Sequence, residues 1–88
     1  MAQVKVYTMS YCPYCVRAKQ LLKQRGIEFQ EILVADDDEA QWDALYQLTG
    51  MKTMPQIFRG ERLIGGYHEL KELDDQDRLE SLKREEGA

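Results

Sequence analysis

Apolar and polar positions change their period several times along this chain, and each change marks an element. Over residues 3–9, Val4, Val6 and Tyr7 form a short apolar run that predicts a first strand. Ser10 and Tyr11 interrupt it. From 16 to 25 the spacing turns helical: Cys15, Ala18, Leu21 and Leu22 share one face, while Arg17, Lys19, Gln20 and Lys23 take the others. Pro13 suits the first turn, where a missing N–H costs nothing. Gly26 suits the position just past the helix end. Residues 27–34 are rich in branched and aromatic side chains and predict a second strand. Strand, helix and strand in so short a span make a βαβ unit, which pairs its strands in parallel.

The second half changes character. Trp42, Leu45, Tyr46 and Leu48 predict a helix with a buried stripe, ended by Thr49-Gly50. Runs at 56–59 and 62–64 flank Gly60-Glu61, and glycine first in a two-residue loop predicts a type II′ hairpin. Gly65-Gly66 ends the hairpin and permits backbone shapes that other residues resist. Leu70, Leu73, Leu79 and Leu82 predict one or two closing helices, with Glu80 and Arg84 spaced as a surface pair. The sum is an α/β chain in the order β-α-β-α-β-β-α, a four-stranded mixed sheet flanked by helices.

Composition narrows the choice of function. With 88 residues, one domain over 1–88 is expected, its charged last residues, 83–88, frayed. Two cysteines are too few for the disulfide framework of a secreted mini-protein. No apolar run reaches membrane-spanning length and no signal-peptide pattern precedes Val4, so a cytoplasmic protein without a membrane partner is expected. The formal net charge is −4, with acidic residues gathered at 36–39 and after Glu69. A nucleic-acid partner would need a basic patch, and none stands out. The run Asp36-Asp37-Asp38-Glu39 reads either as a cation site or as a loop with a helix N-cap. We favour the N-cap, because no regular ligand loop surrounds it.

The two cysteines carry the chemistry. They sit in Cys12-Pro13-Tyr14-Cys15, at a strand-to-helix junction. Thiol–disulfide exchange needs a thiolate nucleophile, a second thiol to resolve the mixed disulfide, and access for the partner sulfur. Cys12 stands where the helix begins, so free N–H groups and the helix dipole favour its charged form. Cys15, one turn later on the same face, should be less exposed yet within reach. Cys12 is therefore assigned as nucleophile and Cys15 as resolving thiol. A zinc site would want four ligands, and beyond the cysteines there is only His68. Haem attachment would need histidine after Cys15, where Val16 stands. A purely structural pair is uncommon in the cytosol.

Cys12-Pro13-Tyr14-Cys15 followed by Val16-Arg17-Ala18-Lys19 resembles the active-site segment of dithiol glutaredoxins of the bacterial type. Thr53-Met54-Pro55-Gln56-Ile57-Phe58 is similar to that family's Thr-Val-Pro loop and third strand, and Ile64-Gly65-Gly66-Tyr67 to its Gly-Gly turn. The resemblance implies a thioredoxin fold with a cis Pro55, although the local sequence alone favours trans. Independently, Met54 before proline is pushed to an extended conformation, where its N–H and C=O can pair with a substrate as an added strand does. The resemblance further implies glutathione as co-substrate, with no permanently bound cofactor. Tyr14 would flank the tripeptide, and Thr53 and Met54 beside Pro55 would pair with its cysteine backbone. The backbone at Tyr67 and His68, after Gly66, would meet the γ-glutamyl carboxylate. Expected partners are glutathionylated or disulfide-containing proteins, with ribonucleotide reductase, a client of some family members, as a candidate. A monomer is expected.

The chain also departs from the family pattern. Met9 stands three residues before Cys12 where many members carry lysine or arginine, and Trp42 replaces a polar or cationic residue eight before Gly50. Both positions usually serve the glycyl carboxylate of glutathione, for which Lys52 is a candidate substitute. His68 follows Gly-Gly-x in place of aspartate or serine, leaving Glu69 as a candidate acceptor for the amino group. Tyr11, Tyr14 and Tyr67 are candidates for an apolar surface beside the cysteines. Two alternatives follow: a redoxin of similar fold recharged by a flavoprotein reductase, and a dimer bridged by an iron–sulfur cluster, which Pro13 disfavours.

Overall fold

β1 (Val4–Thr8) alternates strictly, burying Val4, Val6 and Thr8 and leaving Lys5 and Tyr7 half-buried. The structure, a computed structural model, describes residues 3–79. After β1 come α1 (Pro13–Gln24), β2 (Phe29–Leu33), α2 (Glu39–Thr49), β3 (Gln56–Arg59), β4 (Arg62–Gly65) and α3 (Tyr67–Asp75), the predicted order. The sheet runs β2-β1-β3-β4. β1 pairs in parallel with β2, Val4 opposite Phe29, and antiparallel with β3, Val4 opposite Arg59. The β3–β4 hairpin turns at Gly60, whose φ of 62° is the positive value its two-residue loop requires. This is the thioredoxin-like arrangement.

Because successive strand residues point to opposite faces, β1 feeds two apolar layers. Val4 and Val6 join Ala18, Leu21 and Leu22 of α1, Ile27, Ile57, Leu70 of α3 and Leu79 in one buried cluster. A second cluster buries Val34, Leu45, Met54 and Cys15, with Tyr7, Met9, Cys12 and Trp42 packed against them. The predicted α1 stripe is its buried set: Cys15, Ala18, Leu21 and Leu22.

Three expectations are corrected. On α2 only Leu45 is buried; Trp42 is half-buried, Tyr46 is exposed and Leu48 is 71% exposed. At 3.6 residues per turn, Leu48 lies about 90° and Tyr46 about 70° round the helix from the line between Trp42 and Leu45, so one sheet face cannot cover all four. The second strand begins at Phe29 rather than 27, because Ile27 N–H donates to Leu22 carbonyl at 2.9 Å to finish α1. α3 ends at Asp75, so Leu79 packs from beyond it, and Leu82, Glu80, Arg84 and the tail 83–88 lie outside the described residues. In the acidic run, Asp38 caps α2 by accepting the Gln41 N–H at 3.2 Å. Among the described residues no helix is long and apolar enough to cross a membrane.

Ion pairs tie the elements. Arg25, just past α1, forks onto Asp74 of α3 at 2.7 and 3.0 Å. Asp74's carboxyl is thereby held below the usual carboxylate range. Lys19 donates to Glu31 at 2.8 Å, as does Thr8 at 2.9 Å, so Glu31 is lowered too, chiefly by Lys19.

Candidate redox site at the start of helix α1

After β1 the chain turns through Tyr11, which takes a left-handed φ of 55°, and enters α1 at Cys12. Cys12 is the N-cap, with extended φ −115° and ψ 99°, and Pro13 is the first helical residue. N-caps are usually Ser, Thr, Asp or Asn, whose side-chain oxygen accepts a free N–H of the first turn. Here sulfur takes that place: Cys15 N–H donates to Cys12 Sγ at 3.2 Å. α1 has no acidic residue in its first turn. Negative charge on Cys12 therefore meets aligned N–H dipoles and no nearby carboxylate of its own helix. Cys12 is half-buried and Cys15 is 1% exposed. Their Cα atoms are 5.2 Å apart and the sulfurs are joined as a disulfide.

A second wall comes from the loop before β3. Met54–Pro55 is cis, both residues are buried, and the Met54 carbonyl oxygen lies 3.6 Å from Cys12 Sγ. Thr53, just before, is exposed. The site also includes a residue that pattern reasoning missed. Gln56 is fully buried, and its Nε2 donates to the Met51 and Thr53 carbonyls, each at 3.2 Å. The available signal was a polar residue directly after Pro55 and just before the apolar pair Ile57-Phe58.

The third wall is the turn from β4 into α3. Gly66 caps the helix, and its N–H donates to Glu69 Oε1 at 2.7 Å. A Cβ at Gly65 would sit 2.7 Å from Glu69 Cγ, and one at Gly66 would sit 3.3 Å from the Pro55 carbonyl. Glycine lets this turn close against the proline. Tyr67 and His68 open α3, and their rings lie 5.8 and 5.7 Å from that of Tyr14, with Arg17 5.2 Å over Tyr14.

Cys12, Cys15, Tyr14, Met54, Pro55, Gly66, Tyr67 and His68 thus form a chain of contacts, with Thr53 exposed at its edge. Tyr11 is 99% exposed and outside the ring cluster. Met9 packs against the buried cluster that Cys12 also borders. Trp42 donates its indole N–H to the Ala35 carbonyl at 3.0 Å. Lys52 sits 5.0 Å over the Tyr46 ring, on the α2 side. The Glu69 carboxylate is engaged by Gly66.

The glutaredoxin family model matches residues 4–64. The chain belongs to the glutaredoxin family. A glutaredoxin of Pseudomonas aeruginosa is 42% identical over 82 residues, 93% of this chain and 96% of that protein. Glutaredoxin 3 of Escherichia coli K12 is also 42% identical over 82 residues, with coverage of 93% and 98%. Among solved structures, a buckwheat glutaredoxin–glutathione complex superposes with a TM-score of 0.87 at 35% identity, covering 99% of this chain and 81% of that one. Glutaredoxins are generally oxidoreductases, and membership implies glutathione-dependent thiol–disulfide exchange. The Cys12–Cys15 pair at bonding distance suits that chemistry.

Proposed function

We propose that this chain is a dithiol glutaredoxin of the Cys-Pro-Tyr-Cys class, one domain over 1–88 that works as a cytoplasmic monomer. It reduces protein–glutathione mixed disulfides and protein disulfides, with glutathione as co-substrate and no permanently bound cofactor. The observation that carries this reading is the asymmetry of the pair. Cys12 Sγ accepts an N–H at the helix start and is half-buried, whereas Cys15 is sealed one turn behind it.

On a protein–glutathione mixed disulfide, the Cys12 thiolate attacks the glutathionyl sulfur. A bond from Cys12 to that sulfur forms, and the protein thiolate leaves and takes a proton. A glutathione thiolate then attacks the same sulfur, releasing oxidised glutathione and restoring Cys12. On a protein disulfide, Cys12 forms the mixed disulfide and the Cys15 thiolate attacks the Cys12 sulfur. The substrate gains two electrons, and the enzyme is left as the Cys12–Cys15 disulfide, which two glutathiones reduce.

The glutathionyl group would lie along the wall beside Cys12, its cysteine backbone pairing with Thr53 and Met54 next to Pro55. Tyr14 would flank it, and the Gly66–Tyr67–His68 backbone would receive the γ-glutamyl carboxylate. A relative solved as a glutathione complex supports glutathione as the ligand. Glutathionylated and disulfide-containing proteins, ribonucleotide reductase among the candidates, are the partners.

Turnover of a small glutathione mixed disulfide, coupled to glutathione and glutathione reductase, tests the reading. Turnover proportional to enzyme is expected. Turnover only when a flavoprotein thioredoxin reductase replaces glutathione would overturn it, and Met9 and Trp42, neither of which brings a cation for the glycyl carboxylate, would be the reason.

A further inference from the structure

Gln56 takes no part in the exchange steps, yet it is buried where the loop bearing Thr53 and Met54 enters β3. Both its Nε2 contacts are carbonyl oxygens, of Met51 and Thr53. That fixes which end of the amide is NH2, since an oxygen there would face two oxygens. Its Oε1 has no partner among the described residues. The amide commits both its hydrogens to carbonyls of one loop.

The consequence follows from peptide geometry. In a planar trans peptide the C=O and the next N–H point in opposite directions. Holding the Thr53 carbonyl inward against Gln56 therefore turns the Met54 N–H away from the interior. No acceptor for that N–H exists among the described residues. Proline at 55 disfavours the helical region for Met54, and in extended conformations a residue's N–H and C=O face the same side; the Met54 carbonyl lies 3.6 Å from Cys12 Sγ. The free donor thus points to the side where a substrate sulfur meets Cys12.

We propose that Gln56 is a positioning residue, which presents the Met54 N–H to the cysteine backbone of a bound glutathionyl group and so sets affinity for it, leaving Cys12 reactivity alone. This rests on the glutathione reading above.

The test compares wild type with Gln56→Met and with Gln56→Glu, which keeps the shape but puts an acceptor against two carbonyls. With a small glutathione mixed disulfide, both variants should raise KM about fivefold to tenfold, the size of one misaligned neutral hydrogen bond. kcat, and the rate of Cys12 alkylation by iodoacetamide, should stay within about twofold, a split that loss of fold would not produce. In glutathionylated Cys15→Ser protein the Met54 amide should exchange slowly, and adding Gln56→Met should restore fast exchange. An unchanged KM beside normal wild-type turnover overturns the proposal and spares the functional reading. Absence of wild-type turnover with glutathione removes both. Should neither variant fold, Gln56→Asn, whose amide is one methylene shorter, takes their place: a raised KM with unchanged Cys12 alkylation supports the role, and an unchanged KM overturns it.

Discussion

The two ends of α1 are built by opposite rules. At its C-terminal end Gly26 takes φ 72°, its N–H donates to Lys23 carbonyl at 3.0 Å, and Ile27 N–H donates to Leu22 carbonyl. That is the Schellman pattern, which satisfies the last carbonyls. Arg25 then ties this end to Asp74 of α3 by two hydrogen bonds. At the N-terminal end the cap is sulfur, a weaker acceptor than the usual oxygen, and the first turn lacks an acidic side chain. Local stability is thus concentrated at one end, and the other presents a reactive group whose charge the helix favours. Between them the stripe Cys15, Ala18, Leu21 and Leu22 is buried, so packing holds α1 along its length.

The largest effects should come from the reactive end. Cys12→Ser should abolish turnover of both glutathione mixed disulfides and protein disulfides. Cys15→Ser should abolish only the protein-disulfide reaction, because a glutathionylated Cys12 can still be released by free glutathione. Steady-state assays of the two variants on both substrates read this directly. Retained protein-disulfide reduction in Cys15→Ser would mean that the sealed thiol is not the resolving one.

A smaller effect should come from the anchored end, and on stability alone. Gly26→Ala forces a Cβ into a left-handed conformation, which costs about 1–2 kcal/mol. Urea unfolding should show the lower midpoint, while Cys12 alkylation in the reduced protein keeps its rate within about twofold. A tenfold slower alkylation would show that the two ends are coupled and that the comparison fails.

What the sequence revealed here was local or periodic. The α1 stripe, the element order and the Gly60 turn were legible because each depends on spacing along one element or one loop. The cysteine pair was legible for the same reason: residues 12 and 15 span one turn, whatever the rest of the fold does. α2 was misread in part, since apolar residues at 42, 45, 46 and 48 spread over more of the helix than one sheet face can bury. The role of Gln56 was hidden, because its partners are backbone carbonyls of a loop that folds back on it, and composition says nothing about such a fold-back. The Glu69 contact with Gly66 was closer to reach: glutamate three residues after an N-cap is the spacing of a capping box. The cis bond before Pro55 came only from family resemblance, because local sequence specified Met54 as extended and went no further.

The smallest effect expected concerns the ion pair at the anchored end, and its sign can be worked out. Arg25 holds the Asp74 carboxyl below its ordinary value, by a direct hydrogen bond first and by charge besides. A carboxyl lowered in the folded state adds stability that is full above its unfolded pKa, about 3.9 for aspartate, and disappears as pH falls through the lowered folded value. Arg25 stays charged throughout, so it adds no slope of its own. Asp74→Asn should therefore reduce the urea midpoint slightly and evenly from about pH 5 to pH 8. As pH falls through the lowered folded value the two curves should converge. Glu31, lowered by Lys19 and Thr8, titrates with the same sign, but it is present in both proteins and cancels in the difference. A gap that persists unchanged at low pH would assign the effect to packing of the Asp74 side chain instead of its charge. The anchoring of α1 would then be steric, and the contrast between its ends would rest on the glycine cap alone.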